Sequence, residues 1–239
     1  MKFELTSSRQ AGYNGCMKTH PLKHSLLLVL VSLGLSAIPT QATTIYTNQA
    51  AFLAATQPGY YLETFNSLPL GTIPPTLPPP LNFSKNGFGY SATTASGNDF
   101  FPFIGPSGDE WLSTFHEFDP IIFNFTSNNV TAVGGFFFLT DLNGNAAGGT
   151  VTVTLNNGKM FSITDASSTS FIGFTTGAPI QSLTVTPPSS GADLIFATVN
   201  DFITGKALPE TGSSALLLGL GMVGLLGVGK ASRWVKQAA

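Results

Sequence analysis

From Thr43 to Lys206 the chain is rich in Phe, Thr, Gly and Asn and poor in the Ala, Glu, Lys and Arg that favour helices. A stretch of that length and texture has to satisfy its backbone mainly in sheets. Only Asn48–Thr56 (NQAAFLAAT) has helical character, with Thr47 or Asn48 able to cap it. The remainder alternates strand signals with turns, at Tyr60–Phe65, Phe88–Thr93, Trp111–Phe115, Ile121–Thr126, Val130–Thr140, Thr150–Leu155, Met160–Thr164, Phe171–Thr175, Ser182–Thr186 and Leu194–Ile203. Val151-Thr-Val-Thr-Leu155 and Phe161-Ser-Ile163 flank Asn156-Asn157-Gly158, a hairpin signal. Roughly ten short strands at this spacing predict an all-β domain, a β-sandwich of the jelly-roll kind.

The Pro-rich stretch Leu68–Pro80 (LPLGTIPPTLPPP) cannot join a central strand and reads as a long, stiff surface loop. Most of the 20 Phe residues are expected in the core, with Phe136-Phe137-Phe138 in a strand buried on both faces. There is no internal repeat.

Charge is distributed unevenly. Four of the ten Lys and Arg lie before residue 24 and three after residue 229. Thr43–Lys206 holds three Lys, no Arg and ten acids, seven net negative charges, which argues against nucleic-acid binding. The one cysteine, Cys16, precedes the expected mature start, so the body has neither disulfide nor thiol chemistry. With a single His (His116) in the body, a structural zinc site has too few ligands.

Residues 1–42 are expected to be a leader. Lys18 and Lys23 form a basic region, Leu26–Leu35 an apolar core, and Thr40 and Ala42 the small residues of a cleavage site. This is the pattern of a secretory signal peptide, with Met17 as the expected true start. Residues 43–206 form the exported domain, and 207–239 a second targeting segment. In the latter, Ser213–Gly229 is uncharged and would span roughly 25 Å as a helix, at the short end for a bilayer. Lys230, Arg233 and Lys236 follow at once and would hold the end of the chain in the cytoplasm. Pro209 keeps the preceding segment, Leu208 to Gly212, extended, as a protease needs. Gly219-x-Gly221-x-x-Gly224 spells a dinucleotide fingerprint, but it follows no strand and lies inside the apolar segment. Close helix packing in lipid explains those glycines better.

A Pro-containing motif, a short Leu/Gly helix and a basic stub together resemble two bacterial sorting systems. Leu208-Pro209-Glu210-Thr211-Gly212 matches the LPxTG signal of sortase substrates, which implies cleavage between Thr211 and Gly212 and transfer of Thr211 to a cell-wall amine. The Leu216-Leu-Leu-Gly-Leu-Gly texture is closer to PEP-CTERM tails, read by exosortase-type membrane enzymes, although Thr211 stands where that family usually has a second Pro. The body also resembles PEP-CTERM proteins at Glu63-Thr-Phe-Asn66, at Gly134-Gly-Phe-Phe-Phe-Leu-Thr-Asp141, and at Phe171-Ile-Gly-Phe174 with Pro179-Ile180 and Val199-Asn-Asp-Phe202. The PEP-CTERM resemblance is therefore preferred. It implies an exosortase-like partner, a membrane or cell-surface location, and association with exopolysaccharide or biofilm matrix.

Three constellations in the body are candidate sites. A nucleophilic triad would depend on His116, and no Gly-x-Ser-x-Gly elbow accompanies it. Asp109 and Glu110 adjoin Trp111, with Glu117 and Asp119 beyond, an arrangement that suits a sugar platform or a carboxylate pair for glycoside chemistry. The plainer explanation is a solvated acidic loop with Trp111 in the core. Asp141, Asn143 and Asn145 place oxygen atoms at alternating positions as calcium loops do, against an Asx-rich turn between strands. Two functions follow: a non-enzymatic surface or matrix protein without a cofactor, or a secreted glycan-binding or glycan-hydrolysing enzyme on the same scaffold.

Overall fold

The computed structural model describes residues 42–69, 76–105, 108–189 and 194–209. They form an all-β architecture of two antiparallel sheets that share one core, as expected of a β-sandwich. In chain order the elements are β1 (Thr43–Tyr46), α1 (Gln49–Ala54), β2 (Tyr61–Glu63), β3 (Leu81–Lys85), β4 (Phe88–Thr94), β5 (Phe100–Ile104) and β6 (Glu110–Thr114). Then come β7 (Ile121–Phe125), β8 (Ala132–Thr140), β9 (Ala146–Ala147), β10 (Val151–Leu155), β11 (Met160–Ile163), β12 (Phe171–Thr176), β13 (Ser182–Thr186) and β14 (Phe196–Gly205). One sheet runs β1-β12-β8-β14-β6-β5, with β2 also on β14 and β9 on β8; the other runs β11-β10-β13-β7-β4-β3.

The strands obey the alternation their sequences carry. β10 (VTVTL) buries Val151, Val153 and Leu155 and leaves its threonines half-exposed. Its hairpin to β11 closes through the Gly158 N–H on the Leu155 carbonyl at 2.9 Å. β8 and β12 sit inside the larger sheet, and Phe136 alone on β8 is not fully buried. The two sheets meet through aromatic rings. Phe202 of β14 stacks on Phe123 of β7 at 4.1 Å and 17°, and Tyr90 of β4 meets Phe202 edge-on at 5.0 Å. Burying each such ring contributes about 1.5–3 kcal/mol.

Helix α1 is short because its apolar content is short. The Asn48 side chain accepts the Ala51 N–H at 3.0 Å, capping the first turn. Phe52 fixes the helix to the outer face of the larger sheet, fully buried against Phe171 at 5.5 Å and Tyr46 at 5.9 Å. Room for that ring comes from Gly173, where a Cβ would lie 2.5 Å from Phe52 Cδ2.

Four strands lie outside the ten stretches read from the sequence: β1, β3, β5 and β9. β3 joins β4 through Asn86-Gly87, whose φ angles of 55° and 80° make the tight turn that Asn-Gly favours. β5 contains Pro102, which is tolerated because β5 is an edge strand. Within the Pro-rich stretch Leu77 makes a bridge to Phe100 on that edge, with both N···O distances 2.9 Å.

β14 changes partners along its length. Thr198 and Val199 pair with β6, whereas Phe202 to Thr204 pair with β2. Between them the register shifts, with Asp201 at φ 47°, a β-bulge that leaves a gap in the ladder.

Candidate functional sites

The gap at the bulge is filled by the acidic residues singled out above. Asp109 accepts a hydrogen bond from the Asn200 amide, and Asn200 Oδ1 accepts the Asp201 N–H at 2.8 Å. Burial, and after it the negative charge of Asp109, holds the Asp201 carboxyl above the ordinary aspartate range. The Glu110 N–H donates to Asn66 Oδ1 at 2.8 Å, while Glu110 Oε2 is buried without a protein partner. The structure thus joins Asp109 to Asp201, a pairing that sequence spacing could not reveal because 91 positions separate Asp109 from its neighbour Asn200.

Trp111 is not a sugar platform. Its side chain is 4% exposed and meets Phe138 edge-on at 4.8 Å. Gly105 covers it so closely that a Cβ there would lie 2.3 Å from the indole Cζ2. The neighbouring acids are diverted as well. Asp119 is buried and accepts both the N–H (3.1 Å) and the hydroxyl of Ser96, which secures the turn after β4. His116 and Glu117 are exposed.

The loop Asp141–Asn145 is closed by its own hydrogen bonds. Asp141 Oδ1 accepts the Asn143 N–H at 2.8 Å and the Asn145 N–H at 2.9 Å, and Oδ2 accepts the Asn145 amide at 3.1 Å. These donors, the Asn145 side chain foremost, hold the Asp141 carboxyl below its usual range. The arrangement is that of an Asx turn. Among the described residues no group of three or more His, Cys, Asp or Glu side chains is placed to hold a metal ion. Gly144 (φ 74°) lets the loop lie on Phe103, where a Cβ would fall 1.6 Å from Cε1.

Beside this loop is a groove that sequence reading did not find. Phe101, Phe103, Phe115, Leu142 and Phe196 wall it. Ser113 and Thr140 also line it, and their hydroxyls bond one another and that of the fully buried Thr198 at 2.8–3.3 Å. Antiparallel register places Ser113 opposite both Thr198 and Phe101, so one face carries the hydroxyl cluster and its aromatic border.

The Glu63-Thr-Phe-Asn66 stretch is a structural tie. Glu63 accepts the Tyr61 hydroxyl and, at 2.9 Å, the N–H of Phe65, which stands at φ 61° with its ring fully buried. Asn66 reaches Glu110 as described. Nearby, burial pushes the Tyr90 phenol well up, and its hydroxyl has no protein partner.

At the C-terminal end β14 leads into Lys206, whose carbonyl accepts the Gln57 N–H at 2.7 Å, and Ala207 bridges Thr56. Leu208 gives its N–H to the Ala55 carbonyl at 2.8 Å, and Leu208 and Pro209 are exposed. Glu210, Thr211 and Gly212 of the motif lie outside the described residues, as do Lys230, Arg233, Lys236, the 213–229 segment and the leader 1–41. No helix among the described residues is long and apolar enough to cross a membrane.

No family model, curated protein or solved structure matches this chain.

Proposed function

We propose that this is an exported, non-enzymatic protein held at a membrane or cell surface and processed at a C-terminal sorting signal by an exosortase-like enzyme. On this reading 1–42 is the cleaved leader, 43–206 the exported jelly-roll-like domain, and 207–239 the signal, with a membrane helix at 213–229. The observation that carries it is the position of Leu208 and Pro209. Among the described residues the last backbone bond tying the chain to the body is the Leu208 N–H on Ala55, and Leu208 and Pro209, the first two residues of the motif, are exposed. A processing enzyme needs an extended, accessible segment just outside a stable domain, and Pro209 keeps helix from reaching back into it. The domain would then be displayed in the extracellular matrix, with exopolysaccharide as its surroundings.

The test is the double substitution Pro209→Ala, Thr211→Ala, expressed in the native cells. The expected result is accumulation of a longer, membrane-held precursor. Processing at the wild-type rate would show that the motif is not read.

A further inference from the structure

The smaller sheet ends at β11, Met160-Phe-Ser-Ile163, which pairs with β10 on one side and with no strand among the described residues on the other. The register decides which backbone groups lie on the free side. The Lys159 carbonyl accepts the Leu155 N–H at 2.8 Å, and antiparallel pairs alternate along a ladder, so Phe161 and Ile163 also turn their N–H and C=O toward β10. Met160, Ser162 and Thr164 turn theirs outward. All three are exposed, Met160 at 60%, and a hollow of about 330 Å³ lined by Ser162, Thr164, Thr169 and Ser170 lies alongside. The strand has no charge, no proline and no bulge to guard this edge. β5 shows the contrast: Leu77 takes both backbone groups of Phe100, and Pro102, the next outward position, has no N–H.

The sequence of β11 is complementary to itself. When two copies meet antiparallel with Ser162 on the two-fold axis, every outward residue faces an outward residue: Ser162 the partner's Ser162, and Met160 the partner's Thr164. Phe161 then stands opposite the partner's Ile163 in a pair without hydrogen bonds, where side chains approach most closely. Both are half-buried at the margin of the core, so the seam extends it. The ends match in charge. Lys159, exposed just before the strand, comes opposite the partner's Asp165, exposed just after it, and the two-fold axis makes that pair twice. Sliding either strand by two residues keeps the backbone match but sets Lys159 opposite Ile163, or Asp165 opposite Phe161. We infer that β11 is a homodimerisation edge that joins the smaller sheets of two copies into one continuous antiparallel sheet. The contact is isologous, so it closes at two copies and does not propagate into a fibre. Its shortness places it in the weak, transient class. It requires neither the sorting motif nor its processing.

The test is sedimentation velocity of the full-length chain in detergent micelles, over a concentration series reaching about 0.5 mM. A reversible, concentration-dependent dimer is expected. Lys159→Asp and Asp165→Lys should each weaken it about tenfold, because each sets like charges opposite one another twice. Mixed in equal amounts, the two variants should pair at close to wild-type strength, since one chain then carries an acid at both positions and the other a base at both. Within one chain these positions lie at opposite ends of β11, so that rescue reads a contact between chains. Asp165→Asn suits the φ of 49° and removes the charge alone; it should weaken the dimer about threefold and reduce its salt dependence. Ser162→Pro deletes an outward N–H and should weaken the dimer about tenfold or more with the fold retained. The inference is overturned by a chain that stays monomeric throughout the series. It is equally overturned by a dimer that Ser162→Pro and Asp165→Asn leave at wild-type strength, which would place the contact elsewhere, or by charge variants that fold yet pair no better mixed than alone.

Discussion

Helix α1 rests on the larger sheet where Gly173 gives it room, and replacing that glycine by alanine tests how the two layers are joined. The added Cβ would lie 2.5 Å from Phe52 Cδ2, 2.8 Å from Cγ and 3.0 Å from Phe171 Cε1. Phe52 is fully buried and hemmed by Tyr46 and Phe171, so its ring has no open side to swing into. Gly173 carries no positive φ, so the perturbation is steric overpacking and not backbone strain. Overpacking of this kind costs about 1–3 kcal/mol. In urea unfolding the midpoint should fall at unchanged slope, and in thermal unfolding Tm should drop by about 2–4 °C per kcal/mol. Phe52→Ala alone should cost about 3–5 kcal/mol. In that background Gly173→Ala should be nearly neutral, because the new methyl enters the space the ring vacated. The pair should therefore be non-additive by about 1–3 kcal/mol. Additivity within about 0.5 kcal/mol would refute the idea that Gly173 exists to seat Phe52.

Gly144→Ala meets both a positive φ and the Phe103 ring, so it should cost about 2–4 kcal/mol, with Phe103→Ala in the same chain recovering part of the loss in a denaturation series. Asp201 has its folded-state pKa raised, so the folded chain binds the proton more tightly than the unfolded one. Its ionisation therefore destabilises the fold above the folded pKa, and that penalty fades as pH falls through the folded value toward the ordinary one. Asp201→Asn, tolerated at φ 47°, should raise stability at neutral pH and flatten that segment of the stability–pH curve; a curve parallel to wild type would contradict the assignment. In a Trp234→Phe background the remaining Trp111 emission should be blue-shifted and insensitive to added glycan. Trp111→Ala should cost about 3–5 kcal/mol as a core deletion.

The strands that were legible in advance were those whose side chains alternate or run apolar without interruption, such as Val151–Leu155 and Ala132–Thr140. The Asn156-Asn157-Gly158 turn was legible for the same local reason. β3 lies outside the stretches read as strand although Asn86-Gly87 announces a hairpin, because Leu81–Lys85 carries only two apolar residues directly after the Pro-rich run. β5 was missed because Pro102 reads as a breaker until its edge position is known. Of the two readings of Trp111, sugar contact or core, the core position holds, because Gly105 and Phe138 enclose it in the folded sheet, which its acidic neighbours in sequence do not show. The bulge that joins Asp109 to Asp201 depends on long-range pairing and leaves no local mark. Glu63–Asn66 ties β2 to β6, and Val199–Phe202 forms the bulge of β14.

The proposed function depends on whether the segment after Leu208 is a signal or only an anchor. The most direct measurement is the intact mass of the protein recovered from its own cells, with C-terminal peptide mapping. The expected result is a C-terminus at or just before Thr211, with the 213–229 segment gone and any added mass identifying the acceptor. A mature chain still ending at Ala239 would contradict it and leave the tail a membrane anchor alone.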